Sequence, residues 1–118
     1  MKNIDETIRT YVKAWNQTYV KEIKAVFQEV CNSQVTFTDR VTPEITGIEQ
    51  LAQLVIETHE KVPGMTFSVL TEPEYFDRLC YYSWEMSIPE KGLYIGRDFI
   101  EFDDKGLIKR IVGFLPKY

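Results

Sequence analysis

Leu93-Tyr94-Ile95-Gly96-Arg97-Asp98-Phe99-Ile100-Glu101-Phe102, followed by the break Asp104-Lys105-Gly106 and then Leu107–Phe114, is the stretch that decides the fold. Both flanks of the break are rich in β-branched and aromatic residues, and the first alternates strictly, so each reads as a strand. A break this short, ending in glycine, closes a hairpin. Successive side chains on a strand take opposite faces, so Tyr94, Gly96, Asp98, Ile100 and Phe102 share one side. Ile95, Arg97, Phe99 and Glu101 take the other. The first set reads as the inner face, and it contains an aspartate.

Working toward the N-terminus, Glu90-Lys91-Gly92 separates this strand from another at Leu79–Ile88. There Cys80, Tyr82, Trp84 and Met86 form the apolar face, with Tyr81, Ser83 and Glu85 opposite. Asp77-Arg78 precedes it, then a short extension at Glu74–Phe76 and a strand at Met65–Thr71. Every break is hairpin-sized, which predicts an antiparallel meander from Met65 onward.

The first half has the helical period. Asn3 with Glu6 reads as an N-cap and its partner, followed by Ile4, Ile8, Tyr11, Val12 and Trp15 on one face. Asn16-Gln17-Thr18 interrupts the pattern, and Tyr19, Ile23, Val26, Phe27 and Val30 repeat it. The short link predicts an αα-hairpin. Gln34–Asp39 alternates as a strand, and Arg40 to Thr46, with Pro43, reads as a loop. Thr46-Gly47-Ile48-Glu49 reads as a capping box opening a third helix with Ile48, Leu51, Val55, Thr58 and Val62, ended by Pro63-Gly64. Helices first, then a meander that must bury one face against them, is the α+β class. At 118 residues the expectation is a single domain over 1–118.

Composition narrows the partners. With 44% hydrophobic and 27% charged residues the chain is not of the disordered type. The net charge is −4 and the basic residues form no block, which sets nucleic acid aside. The N-terminus has no apolar signal region and no run approaches membrane-spanning length, so no membrane partner is expected and the cytoplasm is the default. Cys31 and Cys80, far apart and beside apolar residues, read as buried reduced thiols. Seven Tyr, seven Phe and two Trp either fill the core or line a cavity for a flat apolar ligand.

The candidate site follows from the faces. Val35, Phe37 and Asp39 share one side of their strand, with Thr36 and Thr38 on the other. Asp39 and Asp98 thus both stand on apolar faces, where an unpaired charge is costly. Such local conflicts concentrate at functional sites, and desolvation favours the protonated carboxyl. Structural readings stand beside the functional one. Asp39 can cap the following loop, and Asp98 can pair with Arg110 on the neighbouring strand, since Arg97 points the other way. Tyr11 and Trp15 lie one turn apart on the inner helical face. Trp15 suits a core, while the Tyr11 phenol needs a partner, either an aspartate or a ligand oxygen. Trp15, Phe37, Tyr82, Trp84, Met86 and Phe102 are the candidate ligand wall. His59, the only histidine, sits at the margin of the third helix's stripe in a flanking position. No zinc pattern, Ser-His-Asp or Cys-His motif or glycine-rich phosphate loop is present, so neither metal nor cofactor is expected.

The segments Tyr11-Val12-Lys13-Ala14-Trp15-Asn16, Val35-Thr36-Phe37-Thr38-Asp39, Gly47-Ile48-Glu49-Gln50-Leu51 and Gly96 through Ile108, in this order, resemble the nuclear transport factor 2-like superfamily. That superfamily includes SnoaL-like polyketide cyclases and ketosteroid isomerases. The resemblance implies a cystatin-like cone, with N-terminal helices packed into a curved, mainly antiparallel sheet enclosing a pocket. Against the ketosteroid isomerase pattern, Tyr11 falls at the oxyanion-hole tyrosine, Asp39 at the general base and Asp98 at the protonated aspartic acid. The charged stretch after Asp39 departs from a steroid channel. Arg97 and Asp98 diverge, unlike the converging pair of the superfamily's epoxide hydrolases.

Two functions are therefore expected in competition. One is a cofactor-free isomerase, cyclase or dehydratase acting on a small apolar carbonyl compound. The other is a non-catalytic binding or assembly module. A homodimer through the outer sheet face (Tyr81, Ser83, Glu85, Phe99, Glu101) is compatible with both.

Overall fold

Asn3 caps the first helix as its spacing to Glu6 predicts: the Asn3 side-chain oxygen accepts the Glu6 backbone N–H at 2.8 Å. In the computed structural model, which describes residues 3–116, helix α1 runs Ile4–Ala14 and buries Ile8, Tyr11, Val12 and Ala14. Helix α2 runs Val20–Val30 and buries Ile23, Phe27 and Val30. The Tyr11 and Phe27 rings meet at 5.8 Å between the two helices. Tyr19, expected on this buried stripe, is instead 70% exposed. It is the N-cap residue, still extended at φ −105°, so the helical phase has not begun at its position.

Strand β1 spans Cys31–Asp39, three residues longer at its start than the alternation suggested. The chain passes straight from α2 into extended backbone at Cys31, whose N–H still bonds the Phe27 carbonyl. The expected loop after Asp39 is in fact largely a strand, β2, at Thr42–Thr46, paired antiparallel to β1 with Phe37 opposite Ile45. Pro43 is tolerated because β2 is the edge of the sheet, where an absent N–H costs no ladder bond. Helix α3 covers Ile48–Lys61, but its start differs from a capping box. Gly47 holds the cap position at φ +93° with no side-chain cap, and the Gln50 side chain accepts the Thr46 N–H at 3.0 Å.

Beyond α3 the strands fall close to expectation. They are β3 at Thr66–Val69, shorter than read, β4 at Glu74–Phe76, β5 at Leu79–Ile88, β6 at Gly92–Phe102 and β7 at Ile108–Phe114. The sheet order is β2-β1-β7-β6-β5-β3, with β4 also on β5. All pairs are antiparallel except β1 with β7, which run parallel. Hairpin logic governs only consecutive strands and could not have shown this pair. It places the end of β1 beside the end of β7, with Phe37 opposite Ile111 and Thr38 opposite Val112.

The inner faces of β1, β5, β6 and β7 join the apolar faces of the three helices in one buried core. Cys31 and Cys80 are free thiols within it, and burial pushes each thiol up to about 12. Among the described residues no helix is long and apolar enough to cross a membrane.

Candidate functional site

Asp98 lies mid-strand on the inner face of β6 and is 6% exposed. Its carboxyl is held by two donors from β5, the strand next to it. Tyr82, directly opposite in register, donates its hydroxyl proton to Oδ2 at 2.5 Å. Trp84 donates its indole N–H to Oδ1 at 3.0 Å. The indole can reach because its own cross-strand partner is Gly96, which presents no β-carbon beneath the ring. Burial raises the Asp98 pKa to about 6; the Tyr82 and Trp84 bonds oppose the rise, and the Asp39 charge adds to it. Arg110, the partner expected for a structural pairing, stands opposite Glu101 on the exposed outer face instead.

Tyr11 reaches the same region from α1 and is fully buried. Its hydroxyl accepts the Trp15 indole N–H at 3.0 Å, one turn along the helix. An indole N–H can only donate, so the phenolic proton of Tyr11 remains available to an acceptor in the cavity. Burial holds this phenol well above the ordinary tyrosine value, and the charges of Asp98 and Asp39 act in the same direction. The partner expected for Tyr11 was an aspartate or a ligand oxygen; within the protein it is Trp15.

Asp39 makes the loop-capping contact that its structural reading expects. One oxygen accepts the Val41 N–H at 2.9 Å and so caps the β1–β2 turn. The same half-buried side chain lines the cavity. A point above Gly113 on β7 shows how near the Asp39 and Asp98 side chains come. A β-carbon built on Gly113 would lie 3.5 Å from Asp39 Cβ and 3.6 Å from Asp98 Oδ1. Tyr11, Asp39 and Asp98 therefore face one cavity of about 220 Å³. That is below the roughly 300–1,000 Å³ of pockets for drug-sized ligands.

The cavity wall is mixed, with aliphatic side chains around an aromatic section. Phe37, Trp15, Phe67 and Trp84 form a chain of ring contacts at 5.9, 5.7 and 5.6 Å between centroids. Met86 adds a flexible apolar side chain from β5. Trp15, Phe37, Trp84 and Met86 thus stand where the ligand wall was expected. Tyr82 and Phe102 do not. Tyr82 lies behind Asp98 with its hydroxyl on the carboxyl, and Phe102, at the far end of β6, packs edge-on against Tyr75 at 5.9 Å. Strand alternation identifies a face, but not how far along that face a cavity extends.

Several wall residues were not singled out. Leu54, Thr58 and Lys61 come from α3, and Phe67 from β3. Of the α3 residues, Thr58 belongs to the stripe read for that helix, while Leu54 and Lys61 lie off it. Arg40 is not on the wall, but its guanidinium donates to the carbonyls of two wall residues, Leu115 and Pro116, at 3.0 and 3.1 Å. His59 is off the cavity wall, in a flanking position. Its Nε2 lies 2.6 Å from the Trp15 carbonyl, which can only accept, so Nε2 carries the proton and ties α3 to the end of α1.

No family model matches the chain, and no curated protein does. Solved structures do match. A presumed isomerase of the SnoaL-like family from Agrobacterium tumefaciens is 21% identical with a TM-score of 0.86, over 95% of this chain and 96% of that one. An NTF2-like protein of unknown function from Exiguobacterium is 15% identical at a TM-score of 0.74, over 95% and 99%. A presumed SnoaL-like polyketide cyclase from Jannaschia is 11% identical at 0.70, over 97% and 89%. The chain has the nuclear transport factor 2-like fold, also described as cystatin-like.

Proposed function

We propose that this protein binds a small, mostly apolar carbonyl compound in this cavity and moves a proton on it with its own side chains. The observation that carries the reading is that Asp39, Asp98 and Tyr11 all line one cavity. Asp39, as carboxylate, removes a proton from the carbon next to the carbonyl. The electron pair of that C–H bond moves into the new C=C bond, and the carbonyl π pair moves onto oxygen. Tyr11 and the acid form of Asp98 donate hydrogen bonds to the resulting enolate oxygen. The proton on Asp39 then returns to carbon, at the same or a conjugated position. Isomerisation, cyclisation and dehydration share this first step. With a pKa of about 6, Asp98 is mainly the acid below that pH. A ligand that excludes water shifts it further in the same direction. The presumed isomerase and polyketide cyclase among the structural neighbours accord with chemistry of this kind.

β-Tetralone tests this. In heavy water the protein should exchange its α-protons faster than buffer, by roughly two orders of magnitude or more, the usual size of positioned-base catalysis. Asp39→Asn should return exchange to the buffer rate while keeping β-tetralone affinity. Binding without accelerated exchange in the wild-type protein would replace this reading with a non-catalytic binding module.

A homodimer through the outer sheet face belongs to the same proposal. Leu93 and Ile95 on β6 are 65% and 56% exposed, with Tyr81 on β5 and Phe114 on β7 also exposed on that face. The two reduced thiols accord with a cytoplasmic protein.

A further inference from the structure

We infer that Lys61, in the last turn of α3, is a specificity residue whose ammonium receives a carboxylate carried by the ligand. The ligand class is then a mostly apolar carbonyl compound bearing one acidic group. The inference rests on reading the cavity as a ligand site.

Helix α3 offers the cavity three side chains, Leu54, Thr58 and Lys61. Their spacing is i, i+4 and i+7, one face of a helix, and at about 1.5 Å per residue they span about 10 Å of wall. Along that line the chemistry changes from alkyl to hydroxyl to cation. Thr58 spends its hydroxyl proton on the Leu54 carbonyl, at 2.8 Å. Lys61 is both exposed and on the wall, which puts it at the opening.

A lysine in the last turn of a helix has two ordinary roles, to complement the helix dipole and to pair with a glutamate four residues earlier. Glu57 stands at that spacing and in the favourable order. Yet among the described residues no ion pair joins it to Lys61. The Glu57 carboxylate instead accepts the Gln53 amide at 3.4 Å, and Lys61 lines the cavity. Arg40, bonded to the carbonyls of two wall residues, is committed elsewhere. Among the described wall residues the charged side chains are Asp39, Asp98 and Lys61, so Lys61 is the sole base. A cavity holding two acids, in a chain of net charge −4, repels an anion. One ammonium at its opening offsets that repulsion for one negative charge, which selects a single carboxylate.

β-Naphthoate and β-naphthamide, alike in shape and different in charge, are the probes. They are compared at about pH 5.5, above the ordinary carboxyl range of about 4 and below the Asp98 value of about 6. Wild-type protein should prefer β-naphthoate by about twofold to fivefold, the size of an exposed ion pair, and added salt should erase the preference. Lys61→Met should bind β-naphthamide as wild type does and reverse the preference, because only acids remain on the wall. Lys61→Arg should keep it. A preference for β-naphthoate that survives in Lys61→Met overturns the inference, as does a variant that loses β-naphthamide too, which would make Lys61 a packing residue of α3. Equal wild-type affinities overturn it without touching the cavity reading. If wild type binds neither probe, the cavity reading fails and the inference fails with it.

Discussion

The Trp84 indole occupies the place where a β-carbon on Gly96 would stand, with Cζ2 only 2.2 Å from that position. The two residues are direct partners across β5 and β6, so the ring lies flat over the neighbouring strand and aims its N–H at Asp98. Gly96→Ala should therefore displace the indole and break the Trp84–Asp98 bond. Overpacking of this kind costs roughly 1–3 kcal/mol, read by chemical denaturation. In a Trp84→Ala background the same glycine change should cost close to nothing, because the clash is gone. Equal costs in both backgrounds would show that Gly96 serves something other than Trp84.

Asp98 should leave a signature in the pH dependence of stability. Its folded value of about 6 lies above the ordinary 3.8, so the folded state holds the proton more tightly than the unfolded chain. The contribution is fully present below the unfolded value and is lost as pH rises through the folded one. Two pH units correspond to about 3 kcal/mol as an order of magnitude. Asp103 acts oppositely: burial pushes it up, but Asn32 and the Leu107 and Lys105 amides outweigh this, and the lowered pKa makes its contribution fall with falling pH. Comparing wild type with Asp98→Asn between about pH 4 and 7 isolates the Asp98 term, and the variant should lack the decline. Tyr82→Phe removes a bond that lowers the Asp98 pKa, so a carboxyl-carbon NMR titration should find Asp98 higher still. A titration of Asp98 at the ordinary value would refute both expectations.

The outer face offers a third test. Ile95 stands opposite Glu85 on the exposed side of the sheet. Ile95→Lys should leave the melting of the monomer within about 0.5 kcal/mol, as for exposed positions generally, while shifting sedimentation from dimer to monomer. Wild-type protein sedimenting as a monomer at high concentration would remove the homodimer.

Much of this site was legible because sheets bury alternate residues. The period-two pattern placed Asp39 beside Val35 and Phe37, and Asp98 beside Ile100 and Phe102, on what proved to be inner faces. Other features depended on strands distant in sequence. Which residues hold Asp98 follows from the β5–β6 register, and Tyr82 and Trp84 read only as apolar-face aromatics without it. Pro43 disguised β2, because its penalty applies within a sheet and not at the edge. Gly113 carried no signal of its own; its meaning comes from Asp39 on β1 and Asp98 on β6, between which β7 inserts.

That insertion also dictates when the site exists. β7 lies between β1 and β6, and its parallel partner β1 is about seventy positions earlier in the chain, a separation that makes the pairing late and entropically demanding. Before it forms, Asp39 belongs to the β1–β2 hairpin and Asp98 to the β5–β6 hairpin, two locally folded pieces with nothing to align them. Neither hairpin alone brings Asp39 and Asp98 to one cavity; they share it only once the central strand closes the sheet.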